Sequence, residues 1–193
     1  MRRSTRSRSP SSSSLGSTTL RADKAIVVRP RESGDVPALV AILGQVHAQD
    51  RYPIVGDHVE AGWLLEPDGP AWVAELDGAV VGQAALQPGA DPVSAEALGA
   101  EPGAVLTLAR FFVSPEARGS GAARMLLDAV EAYARGAGRP LALEVVAHNE
   151  AARAVYTRRG WTPLGSYPAR WFGPDGPAYE AYRFVLPLLA AKT

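Results

Sequence analysis

Cysteine is absent from the 193-residue chain, which excludes disulfides, thiolate metal sites and a cysteine nucleophile. Histidine and methionine are scarce, at 3 and 2 copies. No apolar run approaches the roughly 20 residues of a membrane-spanning helix. The formal net charge is zero, so the chain as a whole has no electrostatic bias toward polyanions. Internal repeats are missing, as are the Gly-four residues-Gly-Lys-Ser/Thr phosphate loop and the three-glycine spacing of dinucleotide folds. What remains is length enough for one sizeable core, expected over residues 25–190, and a cytoplasmic enzyme as the simplest expectation.

Residues 1–24 differ in kind. Arg2, Arg3, Arg6, Arg8, Arg21 and Lys24 stand against Asp23 alone, a formal +5 that leaves the remainder at −5. The serine run Ser11 to Ser14 lacks the apolar residues that bury a core, so a disordered basic tail is expected. It also lacks the apolar middle of a secretory signal. No base-reading motif accompanies these cations, and nucleic acid is not an expected partner.

The densest information lies in Val113-Ser114-Pro115-Glu116-Ala117-Arg118-Gly119-Ser120-Gly121-Ala122-Ala123. An apolar strand, Ala104 to Val113, runs through a glycine-bearing turn into a helix whose periodic face carries Leu126, Leu127, Val130, Tyr133 and Ala134. Uncapped N–H groups at a helix start point outward together, the helix dipole adds positive potential, and glycines let a phosphate approach the main chain. Gly119 and Gly121 each cost about 1 kcal/mol against alanine within a helix, and Arg118 puts a cation at the disfavoured end. A bound diphosphate relieves both penalties. The plainer reading is an ordinary strand-to-helix turn with Arg118 paired to Glu116.

Gly136, Gly138 and Pro140 end that helix, and Leu141 to Ala147 reads as a buried strand. Asn149 is placed to cap a second helix through Arg159, with Ala152 and Val155 inward and Gly160 as its stop. Two strands joined by one crossover helix are parallel neighbours, and ligands of such sheets bind beyond the carboxyl ends of the strands.

Upstream, Ala25 to Arg29 reads as a first strand, and Asp35 as the cap of a helix from Val36 to about His47 with Leu39, Val40 and Leu43 inward. Asp77-Gly78 between Ala71–Leu76 and Ala79–Leu86 signals a hairpin. Gln87 to Gly103, rich in Pro, Gly and Ala, reads as a long connection. Downstream, Leu164–Tyr167 and Tyr179–Leu186 are the last strands. The predicted order is β, α, a short α, β, β, β, α, β, α, β, β.

The turn and the helix after it carry a resemblance to the GCN5-related N-acetyltransferase (GNAT) family. Its pattern of Arg or Gln, two residues, Gly, one residue, Gly or Ala is met by Arg118, Gly121 and Ala123. Its pattern of Asn, two residues, Ala, three residues, Tyr is met by Asn149, Ala152 and Tyr156, and Gly160-Trp161 stands where the family usually has Gly-Phe. The match is strongest from Leu106 to Trp161. The resemblance implies an α/β (α+β) fold: a GNAT-like mixed, mostly antiparallel central sheet of about seven strands with helices on both faces.

It further implies acetyl-CoA (coenzyme A) as cosubstrate, with no metal. The backbone of Phe112 and Val113 would pair with the pantetheine arm, the amides of Arg118, Gly119, Ser120, Gly121, Ala122 and Ala123 would hold the pyrophosphate, and Asn149 would contact the cofactor arm. Tyr156 would protonate the departing thiolate. The strand before the turn lacks the glutamate many members place there, leaving His47, His58, His148, Glu144 and Glu75 as base candidates, with His148 favoured because it adjoins Asn149. Acceptor recognition is expected from residues 47–66 and the loop near Arg170, Trp171 and Phe172, where Tyr52, Asp57, His58 and Trp63 also stand.

The implied reaction is transfer of an acetyl group to a primary amine, expected to be a small molecule, by direct attack in a ternary complex. A non-catalytic acyl-CoA-binding domain and a protein N-terminal or lysine acetyltransferase stay open. No membrane partner is expected, and a homodimer is compatible with the chain.

Overall fold

Asp77 and Gly78 both adopt left-handed backbone, φ 53° and 82°, as a two-residue type I′ hairpin requires. They join β2 (Ala71–Leu76) to β3 (Ala79–Pro88), the first of the antiparallel pairings that dominate the sheet. The computed structural model describes residues 25–54, 58–66, 68–171 and 175–187; the basic tail, Asp57 and Phe172 lie outside them. The elements are β1 (Ile26–Pro30), α1 (Val36–Asp50), α2 (Ala61–Leu65), β2, β3, α3 (Pro92–Ala97), β4 (Leu106–Val113), α4 (Ala122–Ala137), β5 (Leu141–Val146), α5 (Glu150–Arg158), β6 (Thr162–Ala169) and β7 (Tyr179–Leu186). Seven strands pair in the order β1-β2-β3-β4-β5-β7-β6, and only β4 and β5 are parallel.

That parallel seam is short. It holds Leu106↔Leu141, Thr107↔Ala142 and Leu108↔Leu143 and nothing further. β5 continues along β7 to Val146↔Ala181, while β4 continues along β3 to Val113↔Gly82. A wedge opens between them toward their carboxyl ends.

Helices cover both faces. On one, Leu126, Leu127, Val130 and Ala134 of α4 join Leu86, Leu106, Leu108, Leu141, Leu143, Tyr156, Trp161 and Phe184 in the main core. On the other, Leu39, Leu43 and Val46 of α1 pack with Trp63, Leu64, Val73 and Phe112. α4 ends because Gly138 takes the left-handed conformation at φ 65° and donates back to Ala134 O and Arg135 O.

Four expectations change. Gln87 to Gly103 is not a bare connection: Asp91 accepts from Val93 N and Ser94 N to cap α3. The helix then seals a small third core of Ala95, Val105, Ala142 and Val185. Tyr133, expected inward, is 43% exposed and meets Trp72 edge-on at 5.3 Å. Asp35 does not cap α1 through its side chain; its carboxylate accepts from Glu32 N and from Arg29 instead. α1 itself runs past His47 to Asp50.

Candidate active site

The turn after β4 is a single 3-10 turn, Pro115–Ala117, followed by Gly119 at φ 76° and Gly121 at φ 98°. α4 then begins with no side-chain cap and no acid in its first turn. Ala122 N reaches Ser120 Oγ at 3.2 Å, and a Cβ at Gly119 would meet nothing within 4 Å. An open, acid-free start to a 16-residue helix fits an anion by charge and by access. Arg118 pairs with Asp50 at the end of α1 rather than with its neighbour Glu116.

Backbone direction along β4 follows from one bond. Ser114 N donates to Val81 O on β3 at 2.7 Å, so alternation turns the polar groups of Phe112 toward β3 and those of Phe111 and Val113 into the wedge. The Phe112 ring packs under α1. Between Gln83↔Phe112 and Ala85↔Ala109 the register slips, and Arg110 occupies the bulge with left-handed φ 51°.

Tyr156, on α5, is 6% exposed and meets the rings of Trp161 and Phe184 at 5.8 Å each. Burial pushes its phenol pKa up, and the neighbouring Tyr52 pushes it further. Tyr52 follows α1 and lies edge-on to Trp63 at 5.8 Å and tilted toward Phe112 at 6.5 Å. Burial takes its own phenol to about 12, opposed by Arg110 and by a hydrogen bond with the Phe111 backbone. The Tyr52 phenol thus stands at the β4 backbone, and the Tyr156 phenol lies near enough to feel it. Asn149 Oδ1 accepts from Ala152 N at 3.1 Å and so holds the start of α5.

The base candidates separate. Glu144 is the first β5 residue past the parallel seam, and it lies on the sheet face opposite α4 because Leu143 and Val145 face the α4 core; Tyr167 also hydrogen-bonds to it. Trp171 Nε1 donates to Glu144 Oε2 at 2.6 Å, and Arg183 Nε lies 4.0 Å from Oε1. His148 is exposed. It lines a cavity of about 480 Å³ with Arg153, Glu180 and Tyr182, away from the rings around Tyr156. His47 Nδ1 is 2.7 Å from Pro53 O, His58 stacks on Trp63 at 5.8 Å, and Glu75 pairs with Arg29 at 2.6 Å near the β1 edge.

Two features escaped the sequence reading. Arg110 reaches into the acceptor side, its guanidinium 4.1 Å over the Trp63 ring and its Nε donating to Trp63 O at 2.9 Å. Tyr52 was seen only as an aromatic face, yet its hydroxyl meets β4. Trp171 stacks on Tyr179 at 6.0 Å, which steadies the indole that donates to Glu144. No group of three potential metal ligands exists among the described residues, and no helix there is long and apolar enough to cross a membrane.

The sequence profile of the Acetyltransferase (GNAT) family matches residues 39–161. An IAA acetyltransferase of Azospirillum brasilense is 32% identical over 151 residues, 76% of this chain and 88% of that protein. The ribosomal-protein-alanine N-acetyltransferase of Brucella melitensis superposes with a TM-score of 0.64 at 25% identity, over 84% of this chain and 99% of its own. A Salmonella typhimurium protein described as an acetyltransferase, with its cofactor acetyl-CoA, gives 0.61 at 20% identity over 88% and 97% of the two chains.

Proposed function

The chain belongs to the acetyltransferase (GNAT) family and is an acetyl-CoA-dependent N-acyltransferase; from that premise we propose that it acetylates the primary amine of a small molecule by direct attack in a ternary complex. The observation that supports this most is the acid-free start of α4, which follows the strand whose parallel pairing ends at Leu108↔Leu143, in a chain that also carries the buried phenol of Tyr156.

Acetyl-CoA supplies the thioester carbon and a thiolate leaving group. The chain's residues do the rest. Amides from Arg118 to Ala123 hold the diphosphate, and Phe111 and Val113 offer backbone partners to the pantetheine arm in place of a missing strand. Phe111 N–H donates to the Tyr52 oxygen at the β4 rim, which leaves the Tyr52 O–H to stabilise negative charge developing on the acyl oxygen. Tyr156, kept protonated by burial, gives its proton to the sulfur. The amine needs a lone pair before it attacks, and Glu144 receives the proton it sheds; the new C–N bond replaces the C–S bond.

Glu144 is preferred over His148 because it is the first β5 residue beyond the parallel seam, whereas His148 lines a cavity with Arg153, Glu180 and Tyr182. The test is detection of free thiol from acetyl-CoA with a panel of amines that includes peptides with free amino termini. Release with small amines and not with peptides supports the reading. Release with peptides alone makes the chain a protein acetyltransferase, and tight cofactor binding without release makes it a binding domain.

A further inference from the structure

We propose that the acceptor is a zwitterion of the α-amino-acid kind, its ammonium held at Glu144 and its carboxylate at Arg110. This rests on the acyl-transfer reading of the same site and adds the substrate's chemical class.

The two residues face each other by construction. Pairing between the parallel strands stops at Leu108↔Leu143, so the wedge is flanked at its opening by Ala109 and Arg110 on β4 and by Glu144 on β5. Glu144 lies on the face opposite the α4 core, beside Trp171, Tyr167 and Arg183, and Arg110 reaches that same side of the sheet through its bond to Trp63 O. One cation and one anion thus stand on opposite rims of the place where an amine must meet the thioester. An acceptor with both charges satisfies both rims; a simple amine satisfies one.

Arg110 is built for more than filling a strand position. It is a non-glycine residue in left-handed backbone, φ 51°, and such strain persists where the surroundings impose it, often at binding sites. The bulge aims the side chain across the face, and the Trp63 ring and carbonyl fix the guanidinium plane. Its carboxylate partner is Glu66, at 2.8 Å from Nη2, but the Glu66 side chain is 67% exposed while that of Arg110 is 18% exposed. An exposed, screened partner is readily exchanged. A ligand carboxylate brought in on the wedge side would replace it with a more desolvated, bidentate pair of the kind guanidinium favours. Tyr52, which feels the charge of Arg110, stands between that carboxylate and the acyl oxygen.

Proton and bond accounting closes. The bound ammonium gives one proton to Glu144, which passes it to solvent; the neutral amine forms the C–N bond as the C–S bond breaks, the thiolate takes the Tyr156 proton, and the second proton shed by the acylated nitrogen restores the phenol. The products are the N-acetylamino acid, free coenzyme A thiol and one proton returned to solvent.

The experiment measures thiol release by the full-length protein with a panel of α-amino acids, each beside its amide. Binding of the same compounds to the protein–coenzyme A complex is read in parallel by calorimetry. Wild type is expected to favour at least one acid over its amide by about tenfold or more in kcat/KM, chiefly through KM. Arg110→Met is expected to erase that ratio by raising KM for the acid, with coenzyme A affinity unchanged, Arg110→Lys to restore part of it, and Glu66→Gln to lower KM for the acid. A purely structural Arg110 would move melting temperature and leave the ratio intact. Equal use of acids and amides by wild type, or an unchanged ratio in both Arg110→Met and Arg110→Lys, overturns the proposal. If thiol is never released, the acyl-transfer reading fails on its own; saturable acid binding that Arg110→Met abolishes still supports the zwitterion site, and its absence sinks it.

Discussion

Tyr156 sets its ring 5.8 Å from that of Phe184 on β7, and burial, reinforced by Tyr52, drives the Tyr156 phenol pKa upward. The phenol therefore stays protonated throughout the working pH range. Tyr156→Phe is expected to lower kcat for thiol release by about 100-fold or more, the scale of a positioned general acid, with acetyl-CoA affinity unchanged. Tyr52→Phe keeps the contacts with Trp63 and Phe112 and removes only the hydroxyl, so a smaller fall in kcat without a change in melting temperature is expected. Steady-state kinetics beside calorimetry checks both.

Glu144 and His148 separate cleanly by rate. Glu144→Gln is expected to cost about 100-fold in kcat, since the group that takes the amine's proton is gone. His148→Ala, altering an exposed side chain that lines a cavity with Arg153, is expected to leave kcat in place, and steady-state kinetics measures both. The opposite pattern would hand the base role to His148.

The turn makes a prediction about affinity rather than rate. Arg118→Glu brings an anion to the diphosphate and is expected to weaken acetyl-CoA binding by about tenfold or more. It leaves folding nearly unchanged, because the Arg118–Asp50 pair is 45% and 34% exposed and exposed pairs contribute about 0–1 kcal/mol. Gly121→Val forces a branched residue to φ 98° and is expected to cost about 1–2 kcal/mol or more along with cofactor binding. Calorimetry and thermal denaturation distinguish the two.

Glu131 fastens α4 to the segment after α5. Its carboxylate takes Arg159 Nε and Nη2 at 2.8 Å each and Trp161 Nε1 at 3.1 Å, and it is 8% exposed. Glu131→Ala leaves the Arg159 guanidinium its bond to Asp128 at 2.7 Å but strips Trp161 Nε1 of its acceptor, and is expected to destabilise by about 2–3 kcal/mol. Trp161→Phe gives up a single bond to a charged partner and is expected to cost about 1.5–3 kcal/mol. Urea denaturation measures both.

Asp35 sets a pH dependence. Its pKa is lowered chiefly by its bond to Arg29, with the Glu32 N–H adding to this against the cost of burial. A carboxylate with a depressed folded-state pKa contributes stability above its unfolded value of about 3.9, and the contribution is lost as pH falls through the folded value. Wild type is expected to lose melting temperature below about pH 4 more steeply than Asp35→Asn, which starts lower.

The elements legible in sequence were those with local grammar. Asp77-Gly78 fixed its hairpin by backbone preference alone, Gly119 and Gly121 marked the turn, and Asn149 marked the start of α5. α3 was hidden because Pro92 and the small residues around it look like a linker; only the fit of Ala95 against Val105 and Val185 makes a helix there worthwhile. Tyr133 followed the apolar period yet turned out toward Trp72, since α4 bends its stripe over a sheet whose twist no sequence period encodes. Arg110 gave no signal because a bulge is a relation between two strands. Glu144 sat in plain view, but its distinction is to be the first residue beyond a seam whose length only the structure gives.

The shortness of that seam divides the molecule mechanically. One lobe, β1–β4 with α1 and α4, meets the other, β5–β7 with α5, along three register pairs of the sheet and the shared core beneath them. A ligand arm laid into the wedge lengthens the joint, acting as a staple across both lobes. Amide hydrogens of Glu144 to Val146 and of Phe111 to Val113 should accordingly exchange more slowly when coenzyme A is bound, and the chain should melt as a stiffer single body.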